Sequence, residues 1–147
     1  MSHQFKRLSH SIYEYKYHVV FCPKYRYRIF KEEVAEYTRQ QIYSHCQQKE
    51  HIEVLELNIQ ADHVHLVVSI APKYAVSEFM GYLKGKLALR LLRQYEHLGK
   101  RYWGRHLWSR GYCVSTIGLA EEKIRKYVQW QEAQEKQDEL TQKRLFD

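Results

Sequence analysis

The chain has 147 residues, a formal net charge of +7 with nine histidines besides, and an apolar share of 44% rich in tyrosine. That size and balance support one folded domain over residues 1–147, with about twelve residues at each end expected to be mobile, and they exclude a disordered chain. No apolar stretch is long enough to cross a bilayer, and the opening "MSHQFKRLSHS" lacks the apolar core of a secretory signal.

The three cysteines, Cys22, Cys46 and Cys113, form no C-x-x-C pair. Neither a disulfide framework nor a zinc ribbon is suggested, and a reducing cytoplasm is the expected setting. The positive balance favours an acidic partner such as nucleic acid, and the aromatic content adds faces on which unpaired bases can stack.

In chain order, "YEYKYHVVFC" (13–22) alternates and predicts a strand ended by Pro23. The basic, aromatic "KYRYRIF" follows, then a helix over 31–50 with Val34, Ile42 and Cys46 turned inward. "HIEVLELNIQ" and "ADHVHLVVSIAP" predict two strands with so short a gap that they should form an antiparallel hairpin. Residues 75–96 predict a second helix, capped near Ser77. In it Gly81 and Gly85 point to close packing of a backbone or ligand. A loop (97–111), a strand at "YCVSTI" and a third helix from about Leu119 complete the order. Strand, helix, strand, strand, helix, strand is that of an α+β, ferredoxin-like (split βαβ) antiparallel sheet with helices on one face, to which a C-terminal helix is added.

Two features carry chemistry. Side chains alternate across a strand, so His63 and His65 share one face while Val64, Leu66 and Val68 take the other. Taken alone, the pair reads more readily as two surface or partly buried histidines than as metal ligands. Asp62 could orient an imidazole or simply serve the turn. On the third helix, Tyr127 and Gln131 stand four residues apart on a face that includes Ile124 and Val128. A glutamine on such a stripe needs a hydrogen-bond or metal partner, whereas a tyrosine there is more often core than catalyst.

"DHVHLVV" resembles the histidine-hydrophobe-histidine motif of the HUH endonucleases, and "YVQWQ" resembles the Tyr-x-x-x-Gln signature of the small single-tyrosine transposases of insertion sequences. "YKYHVVFCPKYRYRIF", "YLKGKLALRLLRQY" and "LWSRGYCVSTIG" are similar to that family as well, so the resemblance runs from about Tyr13 to about Gln131. It implies that His63, His65 and Gln131 are ligands of a divalent ion, Mg²⁺ or Mn²⁺, and that Tyr127 is the nucleophile of a single-stranded DNA endonuclease and ligase. The implied product is a 5′-phosphotyrosine with a free 3′-hydroxyl. The implied partners are DNA hairpins at element ends and a second copy of the chain, whose tyrosine helix can complete the site in trans. "GLAE" before the third helix is a plausible hinge for that exchange.

Candidate DNA contacts are Lys24, Tyr25, Arg26 and Arg28, then Lys84, Lys86 and Arg90 on the second helix, and Lys100, Arg101 and Arg105 in the loop. Two rival readings stand beside the transposase. One is a non-catalytic, domesticated module that binds single-stranded nucleic acid. The other is a zinc-dependent hydrolase using the histidine pair with His45 or Cys46.

Overall fold

The computed structural model describes residues 5–8, 11–13, 15–104 and 106–146, with the backbone alone for 11–13 and 146. A short hairpin, β1 (Lys6–Leu8) and β2 (Ser11–Tyr13), precedes β3 (Lys16–Phe21), α1 (Glu33–Gln47), β4 (Ile52–Gln60), β5 (His63–Ile70), α2 (Val76–Gln94), α3 (Glu96–Arg101), β6 (Cys113–Ser115) and α4 (Glu121–Phe146). The strand expected over 13–22 is therefore shorter. Tyr13 belongs to the hairpin, and Glu14 lies outside the described residues.

β3, β4, β5 and β6 form one antiparallel sheet in the order β4-β5-β3-β6, which is the ferredoxin-like arrangement expected. Register makes its two faces different. Val19 pairs with Leu66 and Phe21 with Val64, and these valines, leucines and phenylalanines are wholly buried against α1 and α2. From α1 come Val34, Ile42 and Cys46, and from α2 Phe79, Met80, Leu83, Leu87 and Leu91 at helical spacing. Truncating one of these leucines costs ~2–5 kcal/mol, so stability resides on this face.

The opposite face receives α4. Ile124 and Val128 pack on Val20 and Cys22, a small second cluster flanked by Cys113, Leu119 and Tyr127. Residues 116–120, which link β6 to α4, include Gly118 at φ +105°, a conformation that disfavours any residue with a Cβ. No helix among the described residues is long and apolar enough to cross a membrane.

Two local details differ from expectation. An added Cβ at Gly81 or Gly85 would meet nothing within 4 Å, so of the backbone or ligand expected there, no backbone among the described residues makes the approach. The N-cap of α2 is Ala75, and no side chain caps the helix, so Ser77 has no such role.

Candidate active site

Across the sheet, His65 pairs with Val20 of β3 and Asn58 of β4, which puts the two histidines on the α4 side, away from the main core. A cavity of about 410 Å³ lies over them, walled by Arg26, Asn58, Asp62 and, from α4, Ile124, Arg125 and Val128. The Nδ1 of His63 is 2.9 Å from Oδ1 of Asp62, and Oδ2 of the same carboxylate accepts a 2.9 Å bond from Nε of Arg26. Burial acts to raise the Asp62 pKa, but the bonds from His63 and Arg26 outweigh it and hold the carboxyl low. An ionised acceptor at Nδ1 selects the tautomer protonated there and leaves the lone pair of Nε2 for another partner.

His65 is set differently. Burial, followed by the charges of His18 and His63, holds its pKa below the ordinary histidine range, which favours the neutral, ligand-competent imidazole. Its buried Nε2 has no hydrogen-bond partner among the described residues, and neither has Nδ1 of His18. The His18 ring lies 5.8 Å from that of His65, centroid to centroid. His18 is a neighbour of the histidine pair that sequence reasoning passed over, although alternation along β3 had already put it on the face of Val20. The unpartnered Nε2 of His65, in the wall of a polar pocket, fits a metal ion or an ordered water.

Tyr127 and Gln131 are joined to each other but not to the histidines. Gln131 Nε2 donates to the Tyr127 hydroxyl at 2.8 Å and to the carbonyl of Arg110 at 2.7 Å. Burial pushes the Tyr127 phenol well above the ordinary tyrosine range, although the Gln131 bond opposes the shift. Gln131 lines a second cavity, of about 700 Å³, with Lys24, Trp108, Arg110 and Glu135. Among the described residues, no group of three or more His, Cys, Asp or Glu side chains is arranged to hold a metal ion.

α4 is pinned by Glu135, which is 7% exposed. One carboxyl oxygen accepts the backbone N–H of Tyr25 at 2.5 Å, and the other accepts the hydroxyl of Ser109. The hydrolase alternative finds no support in this geometry. Cys46 packs in the main core with Val64 and Leu66, and His45 is buried beside it on α1, across the sheet from His63 and His65.

The basic candidates divide. Arg28, Lys86, Arg90, Lys100 and Arg101 are exposed, Arg101 stacking 3.8 Å over the Tyr27 ring and Lys100 pairing with Glu96. Lys24 and Tyr25 are half-buried beside the second cavity, and Arg26 is engaged by Asp62. Lys84 points inward, its Nζ donating to the carbonyls of Ser109 and Gly111 at 2.9 and 2.7 Å, and burial lowers its pKa to about 8. Its ammonium serves the fold. Arg105 lies outside the described residues.

Residues 11–131 match the family described as "Transposase IS200 like". The chain is 40% identical to the transposase for insertion sequence element IS200 of Salmonella typhimurium over 134 residues, covering 91% of this chain and 88% of that one. It is 33% identical to the ISDra2 transposase TnpA of Deinococcus radiodurans over 125 residues, 84% of this chain and 89% of that one. A crystal structure assigned to a transposase from Deinococcus radiodurans R1 superposes with a TM-score of 0.75 at 29% identity, covering 86% of this chain and 97% of that one. A REP-associated tyrosine transposase bound to a REP hairpin shares the fold, with a TM-score of 0.51 at 10% identity over 84% of this chain and 68% of that one.

Proposed function

The chain belongs to the family of IS200-like transposases, and we propose that it cuts and rejoins single-stranded DNA at the ends of an insertion sequence through a 5′-phosphotyrosine on Tyr127. The observation that carries this reading is the pairing of Tyr127 with Gln131 on α4, the helix that packs over the sheet face bearing His63 and His65.

In this reading the Tyr127 oxygen attacks the phosphorus and the bond to the 3′ oxygen breaks. The phenol gives up its proton, and the departing 3′ oxygen takes one up. A hydroxyl from another strand end reverses the step, with the bond energy conserved in the phosphotyrosine. His63, His65 and the amide oxygen of Gln131 would be the donors for a divalent ion, and an N,N,O set suits Mn²⁺ better than Mg²⁺. Such an ion would polarise the phosphate that Tyr127 attacks. The Asp62 bond to Nδ1 of His63 and the unpartnered Nε2 of His65 fit that assignment.

Burial raises the pKa of the Tyr127 phenol where it sits, and its partner Gln131 opens on a different cavity from the histidines. We therefore read the working enzyme as a homodimer in which α4 of one copy completes the histidine site of the other, swinging about residues 116–120. The substrate is taken to be a DNA hairpin, as in the structural relative bound to one.

The test is to incubate the chain and Tyr127→Phe with labelled single-stranded DNA from its genomic flanks and Mn²⁺. The parent forms a covalent protein–DNA adduct, and the variant binds without forming one. An adduct on the variant removes Tyr127 from its role, cleavage with no adduct points to a hydrolase, and binding alone by both points to a non-catalytic module. Mixing Tyr127→Phe with His63→Ala restores an adduct, on the His63→Ala chain, only if the helix acts in trans.

A further inference from the structure

The turn after β3 joins the two halves of the candidate site. Tyr25 and Arg26 both have left-handed backbone, with φ of 64° and 54°, a conformation that neither residue type favours. Something must hold them there. The Tyr102 hydroxyl donates to the Lys24 carbonyl at 3.1 Å, and the Lys24 N–H donates to the carbonyl of Leu107 at 2.8 Å, which fixes the start of the turn. The Arg26 N–H donates to the Pro23 carbonyl at 3.2 Å within the turn, and two contacts to side chains outside it run in opposite directions. Behind it, the Tyr25 N–H donates to Glu135 on α4. Ahead of it, the Arg26 guanidinium donates to Asp62, which takes Nδ1 of His63 on its other oxygen.

We propose that Glu135 is a positioning residue for His63: seating α4 locks the turn in its left-handed form, and the locked turn holds Arg26 on Asp62 and Asp62 on the imidazole. Glu135 stands two helical turns beyond Tyr127, so the contact that reports on the helix is separate from the groups that do the chemistry. A buried bond and a part-buried one to the same carboxyl group make it an anchor that water does not readily replace. The histidine site therefore registers whether α4 occupies the seat seen here, and loosens when that seat is empty. This deepens the reading of the preceding subsection, on which it rests for the role of His63.

The test reads the His63 ring nitrogens by long-range ¹H–¹⁵N NMR in the full chain without metal, and Mn²⁺ affinity in parallel. Glu135→Ala and Arg26→Gln shift the His63 nitrogens in the same direction, towards a mixture of tautomers, and weaken Mn²⁺ binding about tenfold. Glu135→Gln retains an oxygen for the Tyr25 N–H and stays close to the parent. Ser109→Ala, which leaves the Tyr25 bond in place, does likewise. Should Glu135→Ala fail to fold, Glu135→Leu keeps the buried volume and removes both acceptors. Parent-like His63 signals in either folded variant overturn the proposal. Failure of the parent to bind Mn²⁺ overturns the metal-site reading instead, and the NMR arm still decides whether Glu135 positions His63.

Discussion

The carboxylate of Asp62 bridges the imidazole of His63 and the guanidinium of Arg26, with both contacts at 2.9 Å. Its side chain is 15% exposed and that of Arg26 27%, so water screens the pair less than it would an open surface ion pair. Replacing Asp62 with alanine frees the His63 ring and leaves Arg26 uncompensated. On the proposed metal-site reading, the expected result is a loss of ~10–100-fold in Mn²⁺ affinity, measured by titration calorimetry.

Lys84 and its neighbours Lys86 and Arg90 part company on salt dependence. Each exposed cation that contacts a phosphate contributes about one unit to the slope of log affinity against log salt. Lys86→Ala and Arg90→Ala should each lower that slope. Lys84→Met should leave it unchanged and instead lower unfolding stability by ~1–3 kcal/mol, because the carbonyls of Ser109 and Gly111 lose their shared donor. An unchanged denaturation midpoint together with a reduced salt slope would make Lys84 a DNA contact after all.

His45 sets a pH dependence outside the site. Burial, reinforced by the charges of Arg90 and Lys86, holds its pKa below the ordinary value, and both ring nitrogens are buried without a partner among the described residues. The fold thus favours the neutral ring, while the unfolded chain titrates at about 6.5. Stability from this residue is complete above that value and falls as pH drops through it, since the unfolded state then binds more protons. Urea midpoints between pH 8 and pH 5 should decline less steeply in His45→Leu than in the parent. Equal slopes would assign the decline to other groups.

Gly118 gives a backbone prediction. A Cβ there would lie 4.0 Å from the His18 ring, an ordinary contact, so space is not what requires glycine. The φ of +105° is. Gly118→Ala should cost ~1–3 kcal/mol, seen as a thermal midpoint lower by several degrees. A midpoint within one degree of the parent would mean that the link relaxes at little cost.

The long strands and helices were legible because alternation and helical spacing run over enough residues to stand out. Tyr127 and Gln131 were legible because four residues on a helix guarantee a shared face. β1, β2 and α3 were missed because three to six residues carry too little pattern. His18 escaped notice as a neighbour of His65 because their approach depends on the register between β3 and β5, almost fifty residues apart in sequence. The same holds for the Arg26–Asp62 pair and the Glu135 anchor. Both depend on a left-handed turn that tertiary contacts stabilise against local preference, and spacing along the chain cannot reveal it.

The alternation that turns Val64 and Leu66 towards α1 and α2, and His63 and His65 towards α4, also has a genetic consequence. On the proposed reading, a lesion in the histidine pair or at Tyr127 removes catalysis, and it leaves the main core intact. On the reading above, such a copy would still fold, pair with intact siblings and occupy their DNA ends. Each decayed copy in a genome would then restrain the functional ones, and co-expressing Tyr127→Phe with the parent should depress transposition frequency in proportion to its dose.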